Sequence, residues 1–205
     1  MARIIDKEEK RCDIALASID LFCEKGIQQT SIDEIAKSAG VAKGTIYLYF
    51  KNKDEIVFSI WEYLAQKHIN AFNSIVKPSM NAREKILLFY NFEEFDESTV
   101  EAEKILNLYQ HFISSMLIDT TGIYAEYSQS FFQRDFDFIS ACLQEGVDSG
   151  EFKEMDITLL TNTLVMIIKG TLIKSKACQF NFKRTKTFLN QHLKFVLENF
   201  ARKEL

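Results

Sequence analysis

Proline is almost missing from this chain: Pro78 stands alone in 205 residues, beside only seven glycines. So few breaks predict a nearly all-helical protein. Uninterrupted apolar runs are short, none approaching the roughly 18 residues that a spanning helix needs, so no membrane span is expected. The N-terminus, Met-Ala-Arg-Ile-Ile-Asp-Lys-Glu-Glu-Lys, lacks the apolar run of a secretory signal, and a cytoplasmic location is expected. Four cysteines at 12, 23, 142 and 178 show no C-x-x-C spacing, and the three histidines at 68, 111 and 192 are scattered. Neither zinc nor redox arithmetic is satisfied. Cys12 and Cys23 would sit roughly 16 Å apart along a helix axis, too far to bridge, and read as free thiols. A nucleophile elbow, a P-loop and a dinucleotide fingerprint are also missing. These gaps predict no metal, no cofactor and no enzyme.

Present in quantity are apolar residues, 47% of the chain, which can bury a sizeable core. The formal net charge is −4, but its distribution is uneven. Through residue 53 the chain carries nine Lys/Arg against eight Asp/Glu, and the remainder sixteen against twenty-one. Arg3, Lys7, Lys10 and Arg11 lie in the N-terminal arm, with Lys43, Lys51 and Lys53 further on. A locally basic head on an acidic body suits a protein that offers one end to phosphate.

Residues 31–53 are the most informative stretch. Ser31 followed by Glu34 is a capping box that opens a helix. Ile32, Ile35, Ala36 and Ala39 then form one apolar stripe. Gly40 ends the helix where a left-handed backbone is needed. Val41 plugs the turn, and Lys43-Gly44-Thr45 opens a second short helix with Ile46 and Phe50 inward. Ala36, Gly40 and Ile46 have the spacing of a helix-turn-helix, and DNA binding is the chemistry it serves.

Around this motif the periodicity predicts a helix over about 8–25, stopped at Gly26, and a long one from Asn52-Lys53 that closes before Pro78. Asn81 with Glu84 caps another, carrying Ile86, Leu87, Phe89 and Tyr90. The acidic run 93–98 reads as a loop, and Ser98 with Glu101 starts the next helix. Further helices are expected over about 123–147, 157–174 and 182–200. The expected fold is all-α, with a helix-turn-helix domain over residues 1–52 and a larger helical effector-binding and dimerisation domain over 53–205.

The order Phe22-Cys23-Glu24-Lys25-Gly26, Thr30-Ser31-Ile32, Ile35-Ala36, Ala39-Gly40-Val41, Lys43-Gly44-Thr45 and Tyr47-Leu48-Tyr49-Phe50-Lys51-Asn52-Lys53 resembles the N-terminal domain of the TetR family of transcriptional regulators. The resemblance covers roughly residues 10–56. Gly146-x-x-x-Gly150-Glu151-Phe152 also resembles a joint before the last two helices of that family.

The resemblance implies residue roles. Lys43, Thr45, Tyr47 and Tyr49 fall on positions that face the major groove or its walls. Lys43 would donate to guanine, Thr45 would read a thymine methyl or a phosphate, and Gly44 would let the backbone approach closely. Tyr47 would donate to phosphate, while Tyr49 would divide its ring between core and groove. Leu48 would pack or touch a thymine methyl. Ser31 and Lys53 would hold phosphates.

One recognition helix reads too few base pairs for a genome, so a symmetric dimer on a palindromic operator is expected. The last two helices are more apolar than a single buried face requires. Leu164, Ile168 and Leu172 on one, and Phe188, His192, Phe195 and Val196 on the other, are the candidate dimer residues, as family members dimerise through this pair. In the middle of the chain, Tyr90, Tyr109, Phe112, Met116, Tyr124, Tyr127 and Phe131 recur at helical spacing. They are candidates for an effector pocket taking an apolar or aromatic small molecule, or for plain core. The favoured function is a dimeric repressor released by such a ligand. The alternatives are a DNA-binding regulator or a DNA-organising protein without a small ligand.

Overall fold

Periodic apolar residues and well-placed caps organise the chain into helices. The computed structural model describes residues 7–92 and 100–202. In chain order the helices are α1 (Lys7–Ala17), α2 (Ile19–Lys25), α3 (Ile32–Ser38), α4 (Lys43–Tyr49) and α5 (Lys53–Ile75). They continue with α6 (Ala82–Phe89), α7 (Val100–Ile118), α8 (Ile123–Asp148), α9 (Ile157–Ala177) and α10 (Phe182–Phe200). Among the described residues the extended structure is one isolated antiparallel bridge, Phe152 to Ala201. The expected acidic loop 93–98 and the Ser98 cap lie outside the described residues.

The helix expected over 8–25 is interrupted at Ser18. Its hydroxyl donates to the Ile14 carbonyl at 2.8 Å and its amide to the Ala15 carbonyl at 3.0 Å. A serine that bonds back onto the preceding turn bends a helix, and here it divides α1 from α2.

The chain compacts into two units, Met1–Ile69 with Glu103–Thr120, and Asn70–Ala102 with Thr121–Leu205. The expected boundary at 52/53 therefore does not follow the packing. The first half of α5 buries Ile56, Val57, Ile60, Trp61 and Leu64, and the Trp61 ring meets Tyr109 and Phe112 of α7 edge-on, each at 5.7 Å. These contacts hold residues 53–69 and much of α7 in the first unit. Its N-terminal core is Ile14, Phe22, Ile27, Ile35, Ile46 and Phe50, all buried. Side chains of this size contribute about 1.5–3 kcal/mol each when buried.

The second unit packs α6, α9 and α10 with α8 around Ile86, Tyr90, Ile139, Leu143, Phe152, Leu164, Leu189 and Leu193. Helix α9 is long and apolar enough to cross a membrane by length and composition alone. One side of it, Leu160, Thr161, Leu164, Ile168, Thr171 and Ser175, is buried in this core.

The joint 146–152 ties the unit together. A Cβ on Gly146 would lie 2.3 Å from Cδ2 of Phe152, whose ring is fully buried. Glu151 accepts from the amides of Ala82 at 2.8 Å and Arg83 at 3.1 Å. Asn81 accepts from Glu84 at 2.9 Å, so the first three amides of α6 are all satisfied. Lys153 donates to the Phe200 carbonyl and Arg202 to that of Glu151, both at 2.9 Å, pinning the end of α10.

Candidate nucleic-acid interface

The reading head is built from its caps. The Glu34 amide donates to Ser31 Oγ at 3.3 Å, and the Ser31 amide donates to Glu34 Oε2 at 2.9 Å, completing the box. Lys25 pairs with the same carboxylate. The Lys25 ammonium, then the Ser31 donors, hold Glu34 well below the ordinary carboxylate range, at about 2. Gly40 takes φ +63°, the left-handed turn expected of it, and the Val41 amide closes onto the Ala36 carbonyl at 3.0 Å. Helix α4 then buries Ile46 on α3 and turns its other face out. Tyr47 is 54% exposed and Leu48 74%.

The sequence candidates fall as follows. Ser31, Lys43, Gly44 and Tyr47 are exposed, while Thr45 and Tyr49 are half-buried. Leu48 does not pack; it projects from α4. Lys43 Nζ lies 2.8 Å from Asp33 Oδ2, a partner from α3 that sequence spacing did not single out. Lys53 donates to the carbonyls of Gln28 and Thr30, both at 2.9 Å, and burial lowers its pKa. Two of its three ammonium hydrogens thus brace the segment leading into α3.

By sequence Arg11 is only part of a basic arm. Its guanidinium donates to Ser59 Oγ at 3.1 Å and to the Tyr49 carbonyl, and lies 4.3 Å from the Phe50 ring centroid. It clasps the end of α4 to α1 and α5. Beside it runs an open furrow of about 470 Å³ lined by Lys7, Tyr47, Leu48, Lys51, Glu55 and Phe58.

The effector candidates separate into two groups. Tyr109 and Phe112 pack with Trp61 in the first unit, and Met116 is half-buried there. Tyr90 and Tyr124 are buried in the second, with Tyr127 and Phe131 stacked at 6.4 Å. Phe89 and Phe138 stack at 4.1 Å, and Phe72 meets both edge-on.

Two candidate dimer residues need correction: Leu164 and Ile168 are buried in the chain's own core. Leu172, Phe188 and Val196 are half-buried, whereas His192 and Phe195 are exposed. The outward stripe of α9 is instead Leu159, Met166 and Ile173, with Met166 66% exposed. Their seven-residue spacing was the available signal. Burial raises the thiol pKa of Cys12, and carries Cys23 and Cys142 to about 11, which makes these thiols poor nucleophiles.

Residues 14–60 match the family described as bacterial regulatory proteins, tetR family. The chain is similar to the fatty acid metabolism regulator protein of Bacillus subtilis, 28% identical over 81% of this chain and 83% of that protein. It is also similar to the transcriptional regulator AcrR of Shigella flexneri, 42% identical over 28% of this chain and 26% of that one. Two solved structures share the fold. A TetR transcription regulator from Haloarcula marismortui matches at TM-score 0.78 and 15% identity, over 95% of this chain and 99% of that one. The regulator FadR from Bacillus subtilis, solved in complex with stearoyl-CoA, matches at TM-score 0.72 and 24% identity, over 92% and 98%.

Proposed function

We propose that this chain, whose residues 14–60 match the tetR family of bacterial regulatory proteins, is a homodimeric repressor released from a palindromic operator by an apolar ligand of the fatty-acyl class. It is a regulator and not an enzyme. The observation that carries the reading is the capped α3–turn–α4 unit, which buries Ile46 and leaves Lys43, Gly44 and Tyr47 exposed with Thr45 half-buried. In the proposed complex α4 enters the major groove, Lys43 exchanges Asp33 for a base edge, and Ser31 and Lys53 meet phosphates.

The proposed dimer uses Leu159, Met166 and Ile173 of α9 with His192 and Phe195 of α10. A second apolar stripe on α9, outside the one its own core covers, is what a helix needs when a second copy is to cover it. The ligand class rests on the fatty acid metabolism regulator among the relatives and on the cluster of aromatic side chains in the second unit. Cytoplasmic location follows from the DNA partner.

Fluorescence anisotropy on DNA from upstream of the chain's own gene tests this. Saturable binding of two protomers per site that resists scrambled competitor, and that is reversed by a long-chain acyl-CoA, is the expected outcome. Equal affinity for operator and scrambled duplex would favour the DNA-organising alternative. Specific binding that no acyl compound reverses would leave a regulator without this ligand.

A further inference from the structure

In the second unit Asp135 of α8 and Lys169 of α9 pair inside the helical body, each side chain only 15% exposed. The buried Tyr90 hydroxyl donates to Asp135 Oδ1 at 2.8 Å. The Lys169 ammonium also lies 4.3 Å from the ring centroid of Phe131 and 5.3 Å from that of Phe132. An ammonium and a phenol hydroxyl, converging on one carboxylate between aromatic walls, form a receptor for a carboxylate on an apolar molecule. Here the chain's own Asp135 occupies it. A buried ion pair is weak evidence for stability, because desolvation offsets most of the attraction.

We propose that Lys169 and Tyr90 are the anion anchor of the effector site, and that Asp135 is an internal competitor which the anionic head of the ligand displaces. The proposal rests on the fatty-acyl reading above. The ligand class is an anionic oxygen on an apolar chain, whether a free carboxylate or the phosphates of a CoA thioester. Displacement would break the tie between α8 and α9. Because α9 carries the Met166 stripe on its outer face, the event would bear on the proposed dimer geometry. An internal competitor lowers apparent affinity by the fraction of molecules in which it is bound, so its removal must raise affinity.

The test measures ligand-induced shifts in Tm and dissociation constants for laurate, lauroyl-CoA and dodecanol with the full chain. Asp135→Asn should bind the anionic ligand about tenfold more tightly, with dodecanol unchanged. Lys169→Met should lose the preference for the anion over the alcohol. Tyr90→Phe keeps the ring packing and should weaken the anion alone, about threefold to tenfold, which covers the case in which a charge variant fails to fold. The acid and thioester arms separate carboxylate from phosphate. Anion binding that is equal or weaker in Asp135→Asn and unaltered in Tyr90→Phe overturns the anchor while leaving the ligand class intact. No shift with any of the three compounds on the wild-type chain overturns the fatty-acyl reading and the anchor together.

Discussion

Glu34 joins three partners on one carboxylate: the Ser31 amide, the Ser31 hydroxyl and the Lys25 ammonium. Its pKa is about 2 in the folded chain against an ordinary 4.5. A depressed carboxylate stabilises the fold above its unfolded value, and that contribution disappears as pH falls through the folded one. The first unit should therefore lose thermal stability between about pH 4.5 and pH 2. Glu34→Gln should flatten the Tm profile across that window, as thermal unfolding followed by circular dichroism at stepped pH would check. In the proposed complex Asp33 bears on recognition instead. It pairs with Lys43 when no DNA is bound, so a random duplex would gain little from that lysine. Asp33→Asn should steepen the salt slope on scrambled DNA by about one charge and narrow the gap between operator and random sequence. Lys43→Ala should cost roughly 1–3 kcal/mol on the operator, with a smaller loss on scrambled DNA. Anisotropy titrations at several salt concentrations read both.

Helix α8 reaches its partner loop only because residue 146 lacks a side chain. Alanine would ordinarily favour a helix interior by about 1 kcal/mol over glycine. At 146 the added methyl would meet the rigid, fully buried Phe152 ring at 2.3 Å, and such overpacking costs about 1–3 kcal/mol. Gly146→Ala should therefore lower Tm, whereas Gly170→Ala, with open space around its Cβ, should not. Elements of this kind divide by how local their signals are. The boxes at Ser31 and Asn81, the Gly40 turn and the helix spans were legible because each depends on residues within one turn. The Ser18 break was not, since a serine on a helix carries no mark of whether it bonds back. Lys53 on the Gln28 carbonyl, Lys43 on Asp33, and Asp135 on Lys169 join residues from different elements of the chain, and no single-helix pattern contains them. On α9 the sequence holds more apolar residues than one buried face requires, without saying which of them face the chain's own core, and Leu164 and Ile168 lie on the core side.

At the scale of the whole molecule, Met166 and Phe195 would decide, in the proposed dimer, whether two reading heads act together. Both side chains are about two-thirds exposed, so replacing them should leave the stability of the single chain within about 0.5 kcal/mol. A carboxylate at each position would face apolar surface across the proposed interface, and burying an unpaired charge there is unfavourable enough to prevent association. Met166→Glu combined with Phe195→Glu should therefore sediment as a folded monomer. A monomer reads one half-site, and losing the second engagement removes the gain of tethering, on the order of 10²–10⁴ in affinity. Operator binding should fall by that order while the far weaker binding to random duplex changes little, because each head keeps its own phosphate contacts. Analytical ultracentrifugation and anisotropy on the same preparation separate the cases. A variant that stays dimeric with operator affinity intact would place the association on another face, and a monomer with undiminished operator affinity would mean that a single α4 supplies the specificity.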